Sequence, residues 1–153
     1  MVILDDDNMF EKQKEKKIKN YKALSQTLGN RAYKLETREI ENLFPKDVIE
    51  QYIKQGIKKE LDTEQLMEEL DINYEEYKSR KLGEYINEKL TKKFNKKTLK
   101  SITGRENGFE KNGFLYDKAK FYNCVLEWTK QEGFDYDKNV TEEAKHLIKT
   151  IEN

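Results

Sequence analysis

The sequence contains one cysteine, one proline and one histidine among its 153 residues. A single cysteine, Cys124, excludes an internal disulfide framework and fits a reducing compartment. His146 has no cysteine or second histidine at metal-ligand spacing, so we expect it to be a surface or partly packed side chain. No apolar run approaches the ~20 residues of a membrane span, and the N-terminus lacks the order of a signal peptide. These absences predict a cytoplasmic protein without a membrane partner.

The charges cancel, with 30 basic and 30 acidic residues. No global field therefore attracts the chain to nucleic acid or to a membrane, and any anion binding must come from local clusters. Charged residues outnumber hydrophobic ones, 39% to 35%. The 7 phenylalanines, 9 tyrosines and 1 tryptophan nevertheless favour a packed fold over disorder. The length suits one domain that buries its own core.

Hydrophobic spacing in the first part of the chain predicts an α/β unit. We expect a strand at Val2 to Leu4, a helix from about Met9 to Leu28 closed by Gly29, and a second strand from about Tyr33 to Ile40. The only proline predicts a helix over residues 45–56. Strands joined by a helix are parallel neighbours through a right-handed crossover. Open edges on such a sheet favour association, including a homo-oligomer.

The remainder of the chain has a helical pattern. We predict helices over residues 63–70, 73–94, from about Asp117 to Gln131, and from a Thr141 cap to Ile151. Residues 94–114 hold three glycines and are predicted to be a loop. The fold class is therefore predominantly helical α/β, with an α/β region at 1–56 and a helical region at 57–153.

Two lysine-rich stretches can be explained as solvated parts of the surface without a binding role. The charged face of the first helix, KQKEKKIKNYK, is expected to be a solvated surface rather than a binding stripe. The stretch KKFNKKTLK is either a contact for a phosphate backbone or a solvated loop.

The first strand runs into three consecutive aspartates. In an extended chain Asp5 and Asp7 project to the same side, about 6.6 Å apart. Two such carboxylates repel unless a cation lies between them, and Mg²⁺ or Mn²⁺ prefers oxygen ligands of this kind. The alternative is an acidic helix start that the helix dipole favours.

The predicted second strand carries a similar pair. Glu39 and Glu41 alternate along it, with Arg38 beside them, so both strands could contribute carboxylates to one cation site. The alternative is an exposed edge strand whose acidic residues pair with neighbouring lysines.

These fragments resemble a known family. VILDDDN resembles the strand and DxD motif of a TOPRIM domain. TREIENLFP resembles the REIENYL-type strand that follows it in nucleases of the OLD (overcoming lysogenization defect) class. FLYDKAKFYNCVLEW and TEEAKHLIKTIEN are similar to the helical end of those proteins. The resemblance covers nearly the whole chain, although the middle helices match only in character.

The resemblance implies a metal-dependent DNA endonuclease in a defence-type or DNA-processing system. Asp5, Asp7 and Glu41 would be metal ligands, with Glu39 as the less favoured choice, and Arg38 would be a candidate phosphate contact. Two Mg²⁺ or Mn²⁺ ions would flank the scissile phosphate.

The same resemblance implies a catalytic lysine. Lys118 or Lys120 would meet the charge that grows on the phosphate in the transition state. Helical spacing does not put both on one face, and Lys118 is favoured because it opens its helix. The alternative is that both lysines are solvated.

The match is partial. A complete TOPRIM domain begins with an earlier strand that carries a glutamate, OLD proteins place an ATPase before it, and this sequence has no GxxxxGK[ST] motif. We therefore expect the C-terminal half of a larger enzyme, with DNA and an upstream ATPase/TOPRIM half as partners. The isolated chain is expected to cleave DNA slowly or not at all. The competing hypothesis is a non-catalytic helical remnant or interaction module.

Overall fold

The computed structural model describes residues 2–4, 11–29, 32–57, 62–104 and 117–152. This part of the chain is predominantly helical, which confirms the coarse prediction. The elements in order are β1 (Val2–Leu4), α1 (Glu11–Leu28), β2 (Ala32–Lys34), a 3-10 helix (Ile40–Leu43), α2 (Lys46–Gly56), α3 (Thr63–Leu70), α4 (Tyr74–Tyr77), α5 (Leu82–Lys93), α6 (Lys96–Thr103), α7 (Lys118–Thr129), α8 (Tyr136–Asn139) and α9 (Glu142–Glu152). None of the helices in these ranges combines the length and apolar character needed to cross a bilayer.

β1 and β2 form a short parallel ladder, with Ile3 opposite Tyr33 and Leu4 opposite Lys34. α1 makes the connection between them, as parallel strands require a long crossover. Because the strands are parallel, their C-terminal ends lie side by side. The chain therefore leaves β1 and β2 at the same end of the ladder.

The second strand is shorter than predicted. It ends at Lys34, and Glu39 precedes a 3-10 helix that contains Glu41. The prediction that Glu39 and Glu41 alternate along one strand is therefore wrong. The physical reason is local, because the Glu39 N–H donates to the Asn42 side-chain oxygen at 2.9 Å. A side chain that bonds the backbone three residues away favours a turn over an extended ladder.

The segment predicted as one helix over residues 73–94 is divided into α4 and α5. The break is stabilised by Asn42, whose side-chain NH₂ donates to the carbonyls of Tyr77 at 2.6 Å and Arg80 at 3.1 Å. These two bonds fix the turn between α4 and α5, in which the Arg80 N–H also donates to the Tyr77 carbonyl at 2.9 Å.

The loop predicted over residues 94–114 is also corrected, because α6 occupies part of it. Asn95 caps this helix by accepting from the Thr98 N–H at 2.9 Å, and Gly104 ends it with a φ of 65°. Leu99 is buried on its inner side. Residues 105–114 lie outside the described residues.

The main core lies among α2 to α7. Phe121 is the largest fully buried side chain of α7, and its ring centroid lies 5.6 Å from that of Phe44 and 5.2 Å from that of Tyr52 in edge-to-face geometry. A smaller cluster consists of Leu35, Leu43 and Leu147. It joins α9 to the chain that follows the strands.

Candidate functional site

In the part of the chain that the structure describes, the buried polar or charged side chains lie in one short segment, residues 36–44, which we name the polar connector. Its members Thr37, Arg38, Glu41 and Asn42 are 3%, 9%, 1% and 0% exposed. In the described part of the chain these are the buried polar or charged residues. A segment with so many buried polar groups must be held by specific partners, because an unpaired buried polar group destabilises the folded state.

The first half of the polar connector is held by α9 and by the turn after α4. The Glu143 carboxylate accepts hydrogen bonds from the Glu36 N–H and from the Thr37 N–H, the latter at 3.1 Å to one oxygen. The Arg38 N–H donates to the Lys78 carbonyl at 2.8 Å. These contacts fix the backbone that leads to Glu41.

The second half is held in the same way. Tyr77 donates its hydroxyl to the Phe44 carbonyl at 2.8 Å. Thr141 donates its hydroxyl to the Leu43 carbonyl at 2.6 Å. Glu41 therefore lies on backbone that is bound on both sides to separate helical elements.

Glu41 reaches α7. Its Oε1 lies 2.6 Å from the Lys118 Nζ and accepts from the Tyr122 hydroxyl at 3.3 Å. Lys118 is the first residue of α7, and Tyr122 is one turn further along. The structure thus brings together two side chains, Glu41 and Lys118, that the family resemblance names as metal ligand and catalytic lysine.

The two members of the Glu41–Lys118 ion pair differ in their exposure to solvent. The Glu41 side chain is 2% exposed and the Lys118 side chain is 65% exposed. The second carboxylate oxygen, Oε2, is buried and has no hydrogen-bond partner among the described residues. A buried carboxylate with one unsatisfied oxygen retains much of its desolvation cost. A second cation would reduce that cost.

The beginning of α7 is fixed in place. Asp117 caps the helix by accepting from the Lys120 N–H at 3.1 Å. Tyr52 on α2 donates to the Asp117 carbonyl at 3.4 Å, and the Tyr122 ring lies 6.5 Å from that of Phe44. The position of Lys118 relative to the polar connector is therefore set by α2 and by aromatic packing.

Other predicted site residues have separate partners. Glu39 accepts from the Leu82 N–H at the start of α5, at 3.3 Å. Lys120 forms an ion pair with Asp117 at 3.7 Å. Arg38 is buried in the polar connector. Glu41 and Lys118 are two of the predicted residues, and they are in direct contact.

Asp5 and Asp7 lie outside the described residues. Within the described ranges, no group of three or more histidine, cysteine, aspartate or glutamate side chains is arranged to hold a metal ion. Glu41 is therefore one potential ligand, and a complete site would need others.

Cys124 and His146 take no part in this site. Cys124 is buried on α7, and burial, with a smaller contribution from Glu127, raises the pKa of its thiol to about 11. A thiol with this pKa is a poor nucleophile. The His146 ring packs 5.8 Å from the Tyr33 ring.

Sequence reasoning missed Tyr122, Glu143 and Asn42. Asn42 had a usable signal, because an asparagine three residues after a polar residue can close a turn. Glu143 and Tyr122 act on distant segments, and nothing in their local sequence identifies those partners.

The chain matches no family model, no curated protein and no solved structure.

Proposed function

We propose that this chain is the C-terminal, TOPRIM-like part of an OLD-like, metal-dependent DNA endonuclease that works with an upstream ATPase/TOPRIM half. The observation that carries the proposal is the contact between Glu41 and Lys118. These residues are distant in sequence, and the resemblance assigns them complementary roles in phosphodiester cleavage.

The chemistry of Glu41 fits a divalent cation. Mg²⁺ and Mn²⁺ bind carboxylate oxygens and usually keep several waters. Glu41 offers one oxygen without a partner among the described residues, while its other oxygen faces the Lys118 ammonium. The fit is partial, because the described residues supply a single ligand of this kind.

The strand arrangement supports Asp5 and Asp7 as further ligands. Asp5 is bonded to Leu4, and Leu4 pairs with Lys34 at the end of β2. The polar connector begins two residues after Lys34. The two acidic segments named by the resemblance therefore both follow the same end of the β1/β2 ladder.

The protein groups have distinct roles in this proposal. Glu41 holds a cation, and Tyr122 orients its carboxylate through Oε1. Lys118, mostly exposed and fixed at the start of α7, meets the negative charge on the phosphate. A bound Mg²⁺ or Mn²⁺ would supply Lewis acidity at the phosphate oxygens and lower the pKa of a bound water.

Calorimetric titration with Mn²⁺ tests the assignment without relying on activity. We expect Glu41→Gln to abolish binding. Lys118→Met should strengthen it about fivefold, because it removes a competing cation from a partly exposed pair that contributes roughly 1 kcal/mol.

The matched controls are Glu50→Gln and Lys46→Met, from an ion pair with a 3.8 Å separation on α2. They should leave Mn²⁺ affinity unchanged. Equal binding by the wild type and a folded Glu41→Gln variant would contradict the metal assignment.

A nicking assay on supercoiled plasmid tests the reaction. The chain with its upstream half should nick in Mn²⁺, and Lys118→Met should lower the rate at least 100-fold, within the range for one charge-stabilising group. Lys120→Met is the matched control and should retain most activity, because its neighbour is Asp117. No nicking by the completed pair would favour the non-catalytic interaction module.

A further inference from the structure

α1 is a basic helix with little buried surface. Its 18 residues contain six lysines and two glutamates, a balance of +4. None of its described side chains is buried. The whole chain has no net charge. The positive charge of α1 is therefore a local feature and does not reflect an overall excess of basic residues.

Three of its lysines, Lys16, Lys19 and Lys22, are exposed. Within the described ranges they form no ion pair, in contrast with most lysines on α2 to α9. The paired lysines on those helices or directly beside their ends are Lys46, Lys54, Lys78, Lys81, Lys89, Lys92, Lys93, Lys118, Lys120, Lys138 and Lys145. We name Lys16, Lys19 and Lys22 the α1 lysine row.

The spacing of the α1 lysine row suits a regular polyanion. Steps of three residues place neighbouring lysines on adjoining parts of one helix surface, and the row extends about 9 Å along the axis. One strand of B-DNA presents a phosphate every ~3.4 Å of axis. The row therefore covers the length of about three phosphates.

The opposite side of α1 is occupied by the protein itself. Tyr21, Leu24 and Leu28 are half-buried, and α1 packs against β2. An amphipathic helix that binds a membrane needs a free apolar face for insertion. On α1 that side packs inward, and the lysine side is outward.

We propose that the α1 lysine row binds the phosphate backbone of duplex DNA. The choice of DNA among polyanions rests on the proposed function, and the binding surface itself goes beyond the Glu41 and Lys118 site. Binding of this kind is independent of base sequence and decreases steeply with salt, because each phosphate contact releases condensed counterions.

Fluorescence anisotropy with a labelled duplex of ~30 base pairs tests the proposal, using the full chain in EDTA so that metal binding plays no part. The test variant is Lys16→Gln, Lys19→Gln, Lys22→Gln. The control is Lys46→Gln, Lys81→Gln, Lys138→Gln, which removes three exposed lysines from ion pairs. Both variants change the net charge by the same amount.

We expect the test variant to bind on the order of 100-fold more weakly near 0.1 M salt. The slope of log K against log salt should lose about 2.7, at ~0.9 for each phosphate contact. The control variant should keep the wild-type slope and affinity. Circular dichroism should show both variants folded.

Three results would overturn the proposal: equal losses in the two variants, no DNA binding by the wild type at low salt, or equally tight binding of polyglutamate or anionic lipid vesicles. Failure here is distinguishable from failure of the proposed function. The Mn²⁺ titration of Glu41 would still succeed if only the α1 lysine row were wrongly assigned.

Discussion

The main core and the polar connector are neighbouring regions held by opposite kinds of interaction. The core among α2 to α7 is built from aliphatic and aromatic side chains, with Tyr77, Tyr85 and Phe121 fully buried. The polar connector buries Thr37, Arg38, Glu41 and Asn42 and depends on hydrogen bonds from distant elements. The core supplies stability in proportion to buried area, whereas the polar connector fixes one carboxylate in one place.

The largest expected effect lies in the core. Phe121→Ala should lower the free energy of unfolding by about 3–5 kcal/mol, because it leaves a cavity between Phe44 and Tyr52. Urea denaturation followed by circular dichroism measures the change. Leu126→Ala on the same helix is the control, because that side chain is 56% exposed. A similar loss in both variants would contradict the placement of the core.

The next effect tests the polar connector. Asn42→Ala should cost about 2–3 kcal/mol, because the carbonyls of Tyr77 and Arg80 and the Glu39 N–H all lose a partner. Asn42→Asp should not restore stability, since a carboxylate accepts from Glu39 but cannot donate to the two carbonyls. Urea denaturation would count against this network if Asn42→Asp were as stable as the wild type.

A smaller effect is expected at the contact between the polar connector and α9. Glu143→Ala should cost about 1–2 kcal/mol, because the Glu36 and Thr37 N–H groups lose a charged acceptor. Glu142→Ala is the matched control, since Glu142 is 89% exposed and pairs with Lys145 on the same helix. It should change stability by less than ~0.5 kcal/mol, and equal losses would refute the role of Glu143.

The smallest expected effect concerns the charged side chain of Glu88 on α5. A hydrogen bond from Lys92, with a second from Arg80, lowers the pKa of Glu88 to about 2 from its ordinary 4.5. Because the folded-state pKa is the lower one, its contribution is complete above about pH 4.5 and disappears as the pH falls toward 2. Glu88→Gln should flatten the pH dependence of the urea midpoint in that window. The same pH profile in Glu88→Gln and in the wild type would contradict this contribution of Glu88 to stability.

The same comparison explains what the sequence could predict. α2 and α7 follow from hydrophobic spacing together with Pro45, Gly56 and Asp117, which are local signals. The α6 helix was missed because three glycines in residues 94–114 outweighed Asn95 and Leu99. The 3-10 helix around Glu41 was mistaken for a strand because its polar residues alternate.

The candidate site depended on a different kind of information. Hydrophobic spacing does not bring Glu41 to Lys118, and the family resemblance alone named them together. Tyr122 and Glu143 contact segments far away in the chain, so their roles became visible only in three dimensions.

The most direct measurement of the central claim is paramagnetic NMR of the ¹⁵N-labelled chain during a Mn²⁺ titration. A bound Mn²⁺ broadens the amide signals of nearby residues. The account predicts selective broadening at Glu41, its neighbours in the polar connector and Lys118, with this effect lost in Glu41→Gln. Uniform broadening, or selective broadening that persists in Glu41→Gln, would contradict a cation site at the polar connector.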